Sequence, residues 1–318
     1  MNSPESDQRK AWAESGAAAL GAALLYLSGG LFLFFLVPLS VIMLRRGKEG
    51  YLVGAVGTLL IIGASRGFMA RQAGLGLTGG YLLGELSMPT GILVGFGLLW
   101  WLKPYVRPWA HRFALGAAAA SLGALPVMLL LGGSAGFQNA LESQMSQVLQ
   151  NLGAVEPGMA AEMIVDEAMR MVLRSFALFF GLILGIGALL GRHLVARFSS
   201  QEPYTPPVDR VAVPENSVWP LLSGWALVSA DALLGLGFLG YLGWNVALVF
   251  TLIYAIQGVG IAATVADRSG MSHRGRRLAG VGLIAALFIP GINLLISLGV
   301  PALGVSELWV DYKRVKET

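Results

Sequence analysis

The sequence predicts an all-α, polytopic transmembrane bundle of about ten helices with an outer pair of amphipathic helices, and three observations carry that reading. First, 55% of the 318 residues are hydrophobic and only 13% are charged, against roughly 25% charged in a soluble domain. Second, uncharged runs long enough to cross a bilayer, about 20 residues each, recur along the whole chain. Third, the cationic residues gather between alternate runs, as cytoplasmic loops require.

The elements follow in order. Ala11 to Leu44 is too long for one crossing and is broken by Ser28-Gly29-Gly30, which predicts helix one over Arg9–Leu27 and helix two over Leu31–Leu44. The start reads as a retained helix, because its apolar run passes into helix two without a polar mature region. Arg45-Arg46-Gly47-Lys48 closes the hairpin, and a short helix three covers Tyr51–Ser65. Helix four spans Leu75–Leu102, with a kink expected at Pro89, where a backbone hydrogen bond is lost. Helices five to eight cover His111–Leu131, Val172–Leu190, Val218–Phe238 and Trp244–Ala266. Leu278 to Trp309 again exceeds one span, and Pro290-Gly291 divides it into helices nine and ten. With both termini inside, only Arg66, Arg71, Arg170 and Arg174 of the 22 Lys and Arg residues fall outside. An eight-helix layout, with single tilted spans for the terminal hairpins, moves basic clusters to the wrong face.

The chain reads as a single integral membrane domain, residues 1–318, with two longer non-membrane segments. In the outer one, 132–171, Phe137, Leu141, Met145, Val148 and Leu152 recur at helical spacing, and Met159, Met163, Ala168 and Met171 repeat the pattern. These read as an interfacial helix pair, or as a lid whose flexible Met side chains adapt to a ligand. The inner one, 198–217, holds Glu202-Pro203-Tyr204-Thr205-Pro206-Pro207, an extended spacer.

Chemistry is sparse. There is no cysteine, which removes disulfides, thiolate metal sites and thiol nucleophiles. No paired-His, HExxH, phosphate-loop or GxSxG pattern occurs, so neither an enzyme nor a resident cofactor or metal is expected. A net charge of +4 scattered along the chain gives no nucleic-acid footprint. Ionisable groups inside spans are the stronger signal, because a charge at the bilayer centre costs about 2.5–3.5 kcal/mol on insertion scales. Asp231, expected mid-span in helix seven, and Glu85 in helix four are such groups. One reading pairs either with Arg66, Arg71 or Arg174 as a structural lock. The other builds a small-molecule site from Asp231, Gln257, Glu85, Asn245 and Asn293, walled by Trp225, Tyr241 and Trp244, with Asp231 and Gln257 as the polar contacts. Trp219 and Trp309 fit an interfacial aromatic belt. Small residues four apart, Ala18 with Ala22, Ala19 with Ala23, Gly76, Gly80 and Gly84, and Gly181 with Gly185, make smooth faces for close helix packing. Those of the first helix could serve another subunit.

The hairpin Val37-Pro38-Leu39 with Arg45-Arg46-Gly47, the segment Tyr254-Ala255-Ile256-Gln257-Gly258 and the tail Leu308-Trp309-Val310-Asp311-Tyr312-Lys313-Arg314 resemble the YybS-like family of bacterial membrane proteins. That family is similar to the substrate-binding S components of energy-coupling-factor transporters. The resemblance implies an inner-membrane binder of a small molecule that docks on a coupling subunit through an Ala-x-x-x-Ala face, here Ala18 with Ala22 or Ala19 with Ala23. Ten helices and a long outer segment depart from the six-helix S-component plan. The expectation is therefore a transporter-like binder in contact with membrane lipids. The alternatives are an assembly subunit of a membrane complex and a lipid-handling protein.

Overall fold

The computed structural model describes residues 4–72, 79–106, 108–132, 157–198, 211–310 and 312, with scattered positions between 139 and 151. Among them there are α-helices, short 3-10 turns and no strand. The α-helices are α1 (Pro4–Leu27), α2 (Leu36–Gln72), α3 (Gly79–Trp101), α4 (Trp109–Gly132), α5 (Pro157–Phe198), α6 (Val218–Leu234), α7 (Phe238–Arg268), α8 (His273–Ala286) and α9 (Ile292–Ser306). Four stretches among the described residues are long and apolar enough to cross a membrane: Phe32–Gln72, Ala161–Arg197, Glu215–Leu234 and Phe238–Arg268. The chain is an all-helical membrane protein. The helices cluster into two compact units, residues 1–101 with 115–203, and 102–114 with 204–318.

The first unit begins as a hairpin of hairpins. Helix α2 is two helices joined at Gly47, whose φ of 73° and ψ of −158° lie outside helical space. The chain doubles back there, because a Cβ at Gly54 would meet the Leu39 side chain, fifteen residues earlier and far out of reach along a straight helix. This is the turn expected at Arg45-Arg46-Gly47-Lys48. Only glycine adopts that backbone without strain, so Gly47→Ala is expected to destabilise the protein by about 1–3 kcal/mol, read as a lower denaturation midpoint in detergent.

Helix α1 lies against α2. Ala19, Ala22 and Ala23 are buried, the Ala19 methyl fills the place of a side chain at Gly57, and Thr58 Oγ1 donates to the Ala19 carbonyl of α1 at 3.4 Å. Small residues set the other crossings too. Gly91 meets Gly123 and Gly95 meets the Gly116 carbonyl between α3 and α4, while Gly187 and Gly191 receive Leu36 and Ser40 on α5. Buried Tyr51 donates to the Leu93 carbonyl at 2.5 Å, tying α2 to α3.

Two expected boundaries moved. The second amphipathic helix of the outer segment is not separate: α5 runs unbroken for 42 residues, about 63 Å. No proline interrupts the sequence between Met159 and Leu190, and the helical period never resets. The first amphipathic stretch lies mostly outside the described residues, as do Gly76 and the Pro-rich 202–207. Helix seven ends at Leu234 and not at Phe238, because Gly235 (φ 64°) and Gly237 (φ 60°) turn the chain.

In the second unit, α6 and α7 cross where Gly224 meets the Ala247 backbone and Gly243 meets Leu227. Helices α7 and α9 cross reciprocally: Gly258 lies on the Val300 carbonyl and Gly304 on the Tyr254 carbonyl. No side chain fits between these backbones, which is the packing expected where bilayer and helix surface are equally apolar.

Candidate functional site

The expected polar residues fall into separate settings. Glu85 belongs to the first unit, where its carboxylate stands 3.3 Å from Arg66 Nε, with the two side chains 31% and 35% exposed. The lock reading named this pairing. It is an incomplete one, because Arg66 Nε is itself buried and makes no aligned hydrogen bond among the described residues. Arg66 lies nineteen residues beyond the Gly47 turn, about 28 Å along α2. That is close to the roughly 30 Å hydrocarbon thickness, so the pair sits at the far end of the helices from Arg45 and Arg46. Tyr26, in the last turn of α1, lies within electrostatic reach of both Arg66 and Glu85. Its ring packs edge-on against Phe32 (5.2 Å) and Phe35 (5.4 Å), and Phe32 stacks on Phe179 of α5 (6.1 Å). The loosely aligned ion pair and this aromatic cluster therefore share the same electrostatic neighbourhood of the first unit. Tyr26 carried no sequence signal, because a tyrosine at a helix end reads as an interfacial anchor.

The remaining expected residues lie in the second unit. Asp231 is in the last turn of α6, and its carboxylate lies directly over Gly240, in the first turn of α7. The partial positive charge of that helix start is a suitable partner for a carboxylate, and Asp231 is only half-buried. A helix-end position thus replaces the mid-helix one expected.

Trp225 and Trp244 meet edge to face at 5.7 Å, and Trp225 Nε1 donates to Thr251 Oγ1 at 3.3 Å. Asn245 donates to the Tyr241 carbonyl one turn back. Asn293 is exposed and its Oδ1 accepts from the Gly291 and Leu294 amides, capping the start of α9. Gln257 is 3% exposed and joins three chain segments. Its Oε1 accepts from the Val213 amide at 3.0 Å, and its Nε2 donates to the Glu307 carboxylate. Val213 and Glu307 were not foreseen. Their partnership depends on loops brought beside α7 by folding.

These positions do not form one pocket. Gly240, beneath Asp231, and Gln257 are seventeen residues apart on the single helix α7, about 26 Å, so no one small molecule bridges Asp231 and Gln257. Of the expected docking face, Ala19, Ala22 and Ala23 are buried and Ala18 is half-buried, while Trp12, Leu20 and Leu24 of α1 are exposed. Trp219 and Trp309 are both exposed, as a belt position requires. Elsewhere in the second unit His111 Nε2 lies 3.0 Å from Ser217 Oγ. Ser217 is fully buried, which withholds it from a substrate. No group of three or more His, Cys, Asp or Glu residues among those described could hold a metal ion.

Long apolar helices crossing on glycines, with few charges between them, describe an integral membrane protein. Residues 17–301 match the family described as predicted membrane protein, DUF2232. The chain belongs to the DUF2232 family. The match runs from the Ala face of α1 to Val300 on α9 of this DUF2232 protein. No curated protein and no solved structure matches the chain.

Proposed function

We propose that this DUF2232 protein is a transporter-like, non-enzymatic membrane protein that binds a small charged molecule at the Arg66–Glu85 end of its first unit. One observation carries the reading: Arg66 and Glu85 form an ion pair at 3.3 Å between apolar helices, and the Arg66 Nε that faces Glu85 makes no aligned hydrogen bond among the described residues. Buried donors are rarely left so without a role, and ionisable groups in spanning helices mark ligand or ion paths by default. A ligand carboxylate would compete with Glu85 for the Arg66 guanidinium, and a ligand ammonium would pair with the Glu85 carboxylate. The Tyr26, Phe32 and Phe35 rings offer an apolar wall to the rest of the molecule. The resemblance to YybS-like proteins, and through them to S components, supports a binder that works within a larger inner-membrane complex with both termini cytoplasmic.

The second reading is an assembly subunit, favoured by the apolar stripe Trp12, Leu20 and Leu24 left exposed on α1. A coupling partner would meet that stripe, because Ala19, Ala22 and Ala23 are buried within the protein. Native mass spectrometry of the protein released gently from its own membrane separates the readings. A small adduct of constant mass is expected, reduced at least tenfold in Arg66→Gln and Glu85→Gln and kept in Asp231→Asn. Folding should change little, since an ion pair this exposed contributes about 0–1 kcal/mol. An adduct that survives both substitutions overturns the site. Added protein mass, lost when Leu20 and Leu24 become Ser, moves the reading to assembly. Heterogeneous lipid alone moves it to lipid handling.

A further inference from the structure

The turn between α7 and α8 concentrates positive charge at the base of an uncharged hairpin. Arg268, Arg274, Arg276 and Arg277 fall within ten residues, and Asp267 is the one acidic residue among them. From Leu278 to Ser306 the chain carries no charge. Arg274 is exposed in the first turn of α8. Arg276 uses Nη1 on Asp267 at 2.7 Å, which leaves its other guanidinium donors to serve elsewhere. Arg268 holds the Tyr312 carbonyl at 2.6 Å and so brings the chain beyond α9 to the same end. Ser272 caps α8 by accepting from the Gly275 amide, which fixes how the arginines leave the turn.

Below this basic rim the surface is apolar and open. Leu278, Val281 and Ile284 on α8 and Leu294, Leu295 and Leu298 on α9 are all more than half exposed. Helix α8 has 14 residues and α9 has 15, about 21 to 23 Å each, which is short of a roughly 30 Å hydrocarbon layer. A hairpin of this length, anchored by its arginines at one membrane surface, would stop before the far boundary.

We propose that this turn is a binding site for an anionic phospholipid, with Arg274 and Arg276 holding the head-group phosphate and the α8–α9 hairpin lying along the acyl chains. Charge complementarity selects the occupant. A guanidinium fork suits phosphate oxygens, the net charge of the turn favours a lipid whose head group is anionic over a zwitterionic one, and the adjoining apolar faces favour a lipid over free phosphate.

The test is native mass spectrometry of the delipidated full-length protein titrated with dioleoyl-phosphatidylglycerol, with dioleoyl-phosphatidylcholine as the comparison. Phosphatidylglycerol is expected to bind at least tenfold more tightly. The Arg274→Gln, Arg276→Gln variant should lose about 25-fold, roughly fivefold for each arginine, whereas Arg274→Lys with Arg276→Lys should keep most of the affinity. Arg45→Gln with Lys48→Gln, at the Gly47 turn, should change nothing. Should the double variant not fold, Arg274→Gln alone should show the fivefold loss, since Arg274 is exposed. Equal binding of the two lipids, unchanged phosphatidylglycerol binding in the Gln variants, an equal loss from the Arg45 and Lys48 pair, or displacement of the lipid by millimolar inorganic phosphate would each overturn the proposal. The small adduct tied to Arg66 and Glu85 should be untouched by these substitutions, so the two sites fail or stand separately.

Discussion

Gln257→Leu is expected to destabilise the second unit by about 3 kcal/mol or more. The substitution strands the Val213 amide, whose only partner among the described residues is the Gln257 carbonyl oxygen, and removes a donor from the Glu307 carboxylate. A buried donor left unsatisfied costs about 1–3 kcal/mol, and more when a charged group is involved. The measurement is a denaturation midpoint in detergent, together with proteolytic nicking near Val213 and after α9, the two segments that Gln257 holds. Gln257→Glu gives a sharper reading. It sets a second carboxylate against Glu307, and two such groups at contact distance are stable only while they share a proton. The pair's proton affinity is then higher in the folded than in the unfolded chain. That variant should therefore approach wild-type stability at low pH and lose it as pH rises through the carboxylate range. A Gln257→Leu protein within 0.5 kcal/mol of wild type, an order-of-magnitude bound for substitutions that break nothing, would show that Gln257 joins nothing of consequence.

Gly258→Leu should separate α7 from α9 at a cost of about 3 kcal/mol or more, beyond ordinary overpacking. A Cβ at Gly258 falls on the Val300 carbonyl, and one at Gly304 falls on the Tyr254 carbonyl. These are backbone atoms that cannot turn aside. The contrast is Gly280→Ala on α8, where a Cβ meets nothing. There the gain in helix propensity, up to about 1 kcal/mol, should leave the protein as stable as wild type or slightly more so. Equal effects at Gly258 and Gly280 would mean that the α7–α9 crossing does not hold this unit together.

The legible parts of the sequence were those ruled by local chemistry. The Gly47 turn followed from a glycine within a basic cluster between two apolar runs, and the breaks at Ser28-Gly29-Gly30 and Pro290-Gly291 followed in the same way. The end of α6 was misplaced by four residues because Gly235 and Gly237 sit in a run whose hydropathy does not change. Hydropathy marks where a chain can lie in lipid, while backbone torsion marks where a helix stops. The unbroken α5 was divided for the converse reason: polarity changes near Val172, but nothing there interrupts the backbone.

The candidate site was legible only in its chemistry. Glu85 and Arg66 stood out because charges are rare in apolar helices, and the lock reading paired them. Tyr26 did not stand out, since its role comes from the neighbours α1 acquires when it packs on α2. Asp231 and Gln257 looked like partners on one pocket wall, but α7 holds them about 26 Å apart, and each is engaged locally, by the start of a helix and by two loops.

By itself the sequence determined that this chain is an α-helical membrane protein, where its helices can begin, and which charges are costly enough to need a setting. Those follow from the bilayer, which accepts only backbone satisfied within the helix and taxes every charge. Which residues meet was decided by the tertiary structure alone. In lipid the apolar surfaces have little preference among themselves, so the choice of neighbours falls to glycine-sized gaps and single polar contacts, such as Gly258 on Val300 and Gln257 on Glu307.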